Sequence, residues 1–158
     1  MLQSVKRFFQ ERIAPEAEAT APAERERALR LAAAALMFEV VRADASVKDE
    51  ERTVMRAAIQ GTFGLAQDEA EELMGLAEEE SRSAPSLYQF TSLVDKGFSA
   101  VQKKRIVELL WLVSFADAEK HAWEEHLVRK IAGLLHVPHP DFIDAKIRAR
   151  DESTRARG

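Results

Sequence analysis

The chain predicts an all-α fold, a helical bundle of about seven helices built from two pseudo-symmetric helical hairpins and preceded by a short N-terminal helix. Three observations predict it. Apolar residues recur at helical spacing along most of the sequence, and no segment alternates with the period of a strand. Two runs, Leu29 to Val41 and Ile106 to Phe115, are strongly apolar, and each leads through a short connection into a further amphipathic helix. Each run also ends in the same acidic phrase: Ala43-Asp44-Ala45 with Glu51 seven residues after the Asp, and Ala116-Asp117-Ala118 with Glu124 at the same distance. Aligning the two Asp residues superposes Leu36 on Leu109, Phe38 on Trp111, Val40 on Val113, Val54 on Leu127 and Arg56 on Arg129. A one-residue gap then matches Phe63 and Leu65 with Leu135 and Val137.

In chain order, residues 2–13 place Leu2, Val5, Phe8, Phe9 and Ile13 on one helical face, and Pro15 opens an Ala/Glu/Pro/Thr stretch that lasts to about Pro22. Residues 1–23 therefore read as an amphipathic helix and a tether. That helix has three readings: docking on the bundle, which is favoured, pairing of two chains as a homodimer, or resting on a membrane surface. Residues 24–150 form the helical domain, with helices over about 24–43, 47–61, 67–81, 86–96, 100–116, 121–136 and 140–150. Ser46 with Asp49 resembles a cap, and Ser99 with Gln102 fits a capping box. Gly97 ends the helix before it. Val137-Pro138 and His139-Pro140 break the chain, because a residue before proline disfavours helical dihedrals while Pro140 suits a first helical position. Residues 151–158 are expected to fray.

The 158 residues fit one domain, and 46% apolar with 32% charged residues suffices for a sizeable core, so disorder is confined to the ends. A net charge of −4 with both signs interspersed gives no footprint for nucleic acid. The absence of cysteine excludes disulfides and thiolate metal sites and fits a reducing, cytoplasmic setting. No apolar run reaches spanning length, and Lys6, Arg7, Glu11 and Arg12 interrupt any signal-peptide core.

The phrases Leu36-Met37-Phe38-Glu39-Val40-Val41-Arg42-Ala43-Asp44 and Leu110-Trp111 through Ala116-Asp117, then Glu124-Glu125-His126-Leu127-Val128-Arg129-Lys130-Ile131-Ala132, resemble the tellurite-resistance protein B-like (TerB-like) family, in its uncharacterised soluble branch. The resemblance covers roughly residues 29–147. Ala45 and Ala118 stand where the family pattern usually has glycine. It implies a non-enzymatic helical module with a divalent-metal site and a role in bacterial stress or envelope-associated responses, through a protein partner.

The acids themselves allow two readings. Glu39 interrupts a run apolar on nearly every side, so its carboxylate must be paired, hydrated or metal-bound, and its counterpart in the second hairpin is Leu112. Asp44 and Asp117 lie at helix C-termini, where the dipole disfavours negative charge. Glu51 and Glu124 lie in the first turn of the next helix, where a carboxylate accepts orphan backbone hydrogens. Together with the resemblance, Glu39, Asp44, Glu51, Asp117 and Glu124 make an all-oxygen site for a hard divalent cation such as calcium, magnesium or manganese. In the metal-free reading the same acids stitch the turns of an interaction scaffold. The Glu78-Glu79-Glu80 run reads as solvated surface. His121, His126, His136 and His139 show neither the His-Glu-x-x-His nor the Glu-x-x-His pattern, and no Gly-x-Ser-x-Gly elbow or phosphate loop occurs, so an enzyme is not expected.

Overall fold

The computed structural model describes residues 22–42, 47–83, 87–116 and 122–157. Those stretches hold seven helices and no strand: α1 Pro22–Val41, α2 Asp49–Phe63, α3 Gln67–Ser83, α4 Tyr88–Gly97, α5 Ala100–Phe115, α6 Ala122–Leu134 and α7 His139–Arg157. The all-α bundle is as the sequence predicts, and the first six helices keep their expected bounds to within about two residues. The N-terminal helix over 2–13 and the turns carrying Asp44 and Ala45, and Asp117 and Ala118, lie outside the described residues.

The last helix corrects an expectation. Residues 151–158 were expected to fray, whereas α7 continues to Arg157. Phe142, Ala145 and Ala149 bury one face of it against α5, and ion pairs fasten the flanks: Lys104 Nζ to Asp144 at 2.6 Å and Arg105 Nη1 to Glu152 at 3.6 Å. Glu152 lies beyond the expected end, so its link to α5 holds the added turns in place.

Two helices form the centre. α1 buries every residue from Ala28 to Val41 except Arg30 and Glu39, and α5 buries Ile106 through Ser114 without a break. A helix apolar on all sides must be surrounded, and α1 packs against α3, α4 and α5 while α5 packs against α7, α2 and α6. The run Ala32 to Ala35 presents only methyl groups, which lets neighbouring helices approach the α1 backbone. At one contact the approach is closer still: a Cβ on Gly97 would lie 2.3 Å from Leu29 Cδ2, so a side chain there would force Leu29 to shift. Trp111 fastens α5 to α7, its ring 5.6 Å from that of Phe115 and 5.5 Å from that of Phe142 between centroids.

The helix ends repeat as the sequence does. Gly64 (φ 66°) closes α2 and His136 (φ 61°) closes α6, both left-handed, and the one-residue gap in the repeat sets these two residues opposite each other. After α6, the Val137 N–H reaches Ala132 O at 3.0 Å and the His136 N–H reaches Gly133 O at 3.1 Å, the paired bonds of a Schellman motif. After α2, the Gly64 and Leu65 N–H groups both donate to Gln60 O, at 2.9 and 3.3 Å. At the entry to α5, Ser99 Oγ accepts from the Gln102 N–H at 3.2 Å and Gln102 Oε1 accepts from the Ser99 N–H at 2.8 Å, the capping box read from the sequence.

Candidate functional site

Glu51 is the third residue of α2 and is completely buried. Lys48 caps the helix in an extended conformation (φ −84°, ψ 157°), and Glu51 Oε1 accepts its backbone N–H at 2.9 Å. The cap therefore falls two residues later than the Ser46–Asp49 reading, because the buried glutamate selects which amide it satisfies. Asp49, Glu50 and Glu51 all lie in the first turn, where the helix dipole favours negative charge. Glu124 occupies the same station in the second hairpin: it lies in the first turn of α6 and is also completely buried. Charged residues are almost never fully buried without a specific reason, and here it happens at both equivalent positions.

Glu39 projects from the one partly exposed position in the second half of α1. Arg42 Nη2 lies 3.3 Å from its Oε2 and also donates to Ser81 O and Ser81 Oγ, each at 2.7 Å. The arginine thus joins the end of α1 to the end of α3 and supplies Glu39 with a cation. Burial still pushes the Glu39 carboxyl up from its ordinary range, and the charge and hydrogen bond of Arg42 oppose that shift without cancelling it. Its counterpart Leu112 is buried within α5, so the two halves differ at this position. Asp44 and Asp117 lie outside the described residues. Among the described residues, no three Asp, Glu or His side chains gather closely enough to share a metal ion.

Other acids depart from their expected roles. The Glu78-Glu79-Glu80 run is not uniformly solvated: Glu79 is exposed, Glu80 is buried, and Glu78 makes a two-pronged pair with Arg52. Arg52 also lies over the Phe38 ring, 5.9 Å from its centroid, and its hydrogen bond holds the Glu78 carboxyl below the ordinary carboxylate range. The buried face was legible, since Ala70, Met74 and Ala77 run at helical spacing into Glu80 and Ser81. Glu108, buried in α5, was missed: Arg105 Nη1 lies 2.8 Å from it, and Arg105 Nε donates to Thr62 Oγ1 on α2 at 3.2 Å. This arginine ties α5 to α2 as well as to α7. Of the described histidines, His126, His136 and His139 are exposed, and His136 Nδ1 lies 3.0 Å from Asp95 Oδ1.

The model of the family described as tellurite resistance protein TerB matches residues 30–147, a stretch that takes in both hairpins and both acidic phrases. The chain belongs to the TerB family. No curated protein and no solved structure matches it. The match begins within α1 and ends in the first half of α7, so most of both central helices, together with Glu51 and Glu124, are parts of the TerB domain itself. Among the described residues of this TerB domain, no helix is long and apolar enough to cross a membrane.

Proposed function

We propose that this TerB domain is a non-enzymatic module that takes up a hard divalent cation at its paired acidic turns and, in that state, engages a protein partner in a bacterial stress response in the cytoplasm. The observation that carries the reading is the complete burial of Glu51 and Glu124 at equivalent stations of the two hairpins. Each follows an Asp of the repeated phrase by seven residues, so Asp44 with Glu51 and Asp117 with Glu124 would supply the ligands. An all-oxygen set suits calcium, magnesium or manganese. Glu39, already held by Arg42, would act at the edge of the site, through exchange of its arginine partner rather than as a resident ligand. The ion would neutralise carboxylates that otherwise repel one another at the ends of two central helices. A non-enzymatic role is supported by the lack, in the sequence, of an arranged nucleophile or phosphate loop.

A second reading has its own observation. The bond from the Lys48 N–H to Glu51 Oε1 is the turn-stitching contact of a metal-free scaffold. Calorimetric titration of chelator-stripped protein with calcium, magnesium, manganese and zinc separates the two. Saturable heat with one hard ion, weakened in Asp44→Asn and Asp117→Asn, is expected; absence of heat with all four ions would leave the scaffold reading.

A further inference from the structure

We propose that the groove between α2 and α5 docks a short amphipathic helix of a partner protein, in the place that α4 fills in the other half of the domain. The inference rests on the partner-binding part of the proposed function and not on its cation. The groove holds about 850 Å³ and is walled by Val54, Ala57 and Gly61 of α2 and by Leu112 and Ala116 of α5, with the Glu152-Ser153 end of α7 beside it. Val54, Ala57 and Gly61 recur at i, i+3 and i+7, so they share one face of α2, and Ala57 and Gly61 are exposed.

The internal repeat shows what such a surface is for. Carried past Leu65 and Val137, it sets Gln67 opposite His139, the first residues of α3 and α7, and Glu80-Ser81 opposite Glu152-Ser153. The helices α1, α2 and α3 therefore correspond to α5, α6 and α7. In the first half, α4 follows α3 and lies across α1 and α6. The corresponding surface of the second half is made by α5 and α2 beside the end of α7, and that surface is the groove. Among the described residues, no helix lies along it.

The chemistry of the occupant follows from the way α4 is held. Lys130 Nζ of α6 lies 5.8 Å from the centroid of the Tyr88 ring, and the repeat aligns Lys130 with Ala57, a wall of the groove. Asp95, seven residues after Tyr88, meets His136, the counterpart of Gly64. Thus α4 runs in the direction of α6, and an occupant of the groove runs in the direction of α2, from Ala57 towards Gly64. Inward, α4 turns Phe90, Thr91 and Val94, at i, i+1 and i+4, and the small walls Ala57, Gly61 and Ala116 leave room for a similar stripe. Asp49 and Glu50 stand exposed at one end of the groove, whereas Arg105 at the other is engaged by Glu108 and Thr62. A basic residue ahead of the apolar stripe therefore suits the site.

The probe is a synthetic peptide of residues 87–98, with two lysines added ahead of Leu87 and the photo-cross-linker benzoylphenylalanine in place of Tyr88. It is irradiated with the full chain, in chelator and in saturating calcium, and the cross-links are mapped by mass spectrometry. They are expected to concentrate on α2 around Ala57 and to be scarce around Lys130, where α4 already sits. A Cβ at Gly61 would touch nothing within 4 Å, so Gly61→Phe fills the groove without crowding its own fold. That variant is expected to cut the cross-links around Ala57 at least about tenfold with the melting temperature unchanged. Val101→Phe, at a position 80% exposed on α5, is expected to leave them as they are. Cross-links spread over the surface, centred on Lys130 or indifferent to Gly61→Phe overturn the proposal. So does a dimer of the full chain in sedimentation velocity that Gly61→Phe dissociates, which would make the occupant a second copy. Calorimetric heat with calcium but no cross-links in the groove overturns this inference alone, whereas cross-links in chelator without any calcium heat uphold it and remove the cation.

Discussion

A carboxyl at position 39 sits among side chains that are almost all buried, and its behaviour with pH can be worked out from its surroundings. Burial raises its pKa and Arg42 lowers it by less, so the folded value lies above the ordinary 4.5. Between those two values the folded state binds more protons than the unfolded state, so the glutamate's contribution to stability is greatest below the unfolded pKa and declines as pH rises through the folded one. Glu39→Gln keeps the shape and removes the ionisation. It is expected to match the parent at about pH 4 and to exceed it at about pH 8, as read from urea midpoints at the two pH values. A variant less stable than the parent at the higher pH would show that the Arg42 pair outweighs desolvation. That Glu39 needed a partner was legible, because it interrupts an apolar run. The identity of that partner was only half legible, since Arg42 lies one turn away but is itself anchored by Ser81, 39 residues later. The buried pair Glu51 and Glu124 was legible as a repeat, but the sequence shows spacing and not depth, so their complete burial emerges only from the packing of α2 and α6 on the central helices.

At the scale of the helices, the repeat is clearest where each hairpin ends. Gly64 and His136 share a left-handed backbone, which glycine adopts freely and other L-residues adopt at a cost of about 1–2 kcal/mol. A Cβ at Gly64 would touch nothing within 4 Å, so Gly64→Ala isolates the backbone cost. It is expected to destabilise by about 1 kcal/mol in chemical unfolding. A change near zero would mean that the end of α2 can relax into an ordinary right-handed turn. His136 bears the same cost in the second hairpin and is steadied by Asp95, which also accepts from Lys103 Nζ at 2.6 Å. Gly64 was recognisable as a helix stop in principle, whereas a histidine carries no such signal, and only the alignment of Leu135 and Val137 with Phe63 and Leu65 points to it. The length of α7 escaped the sequence for a related reason. Beyond Ala149 its residues are nearly all polar, so periodicity has nothing to mark, and the extension depends on contacts such as Arg105 with Glu152 that lie far apart in the chain.

The whole molecule is organised around α1 and α5, one from each hairpin, and α1 and α5 pack directly on each other. Damage to either central helix should therefore be felt throughout. Trp111 is 1% exposed, and Trp111→Ala is expected to cost about 3–5 kcal/mol while helicity is still lost in a single transition. A loss below about 1 kcal/mol would remove Trp111 from the core. The same shared centre determines how a cation would act. Its proposed ligands come from both hairpins, so an ion binding only the native state would stabilise the entire bundle, by about 2.7 kcal/mol at a hundred times its dissociation constant. The melting temperature of chelator-treated protein is thus expected to rise saturably with calcium, magnesium or manganese, and Asp44→Asn or Glu51→Gln should reduce the rise. Without metal, Asp44→Asn should be as stable as the parent or more so, because it removes repulsion and keeps the side-chain shape. Glu51→Gln is the sharper probe: its carboxylate accepts the Lys48 N–H, a bond that the amide oxygen can retain while the charge disappears. Turn stitching alone predicts that both variants are less stable than the metal-free parent, because each loses a charged acceptor of the bonds that stitch the turn, and Glu51→Gln also loses the negative charge that the start of α2 favours. Unchanged melting in all three ions, together with destabilised Asn and Gln variants, would leave the acidic repeat as a structural device that joins each central helix to the next.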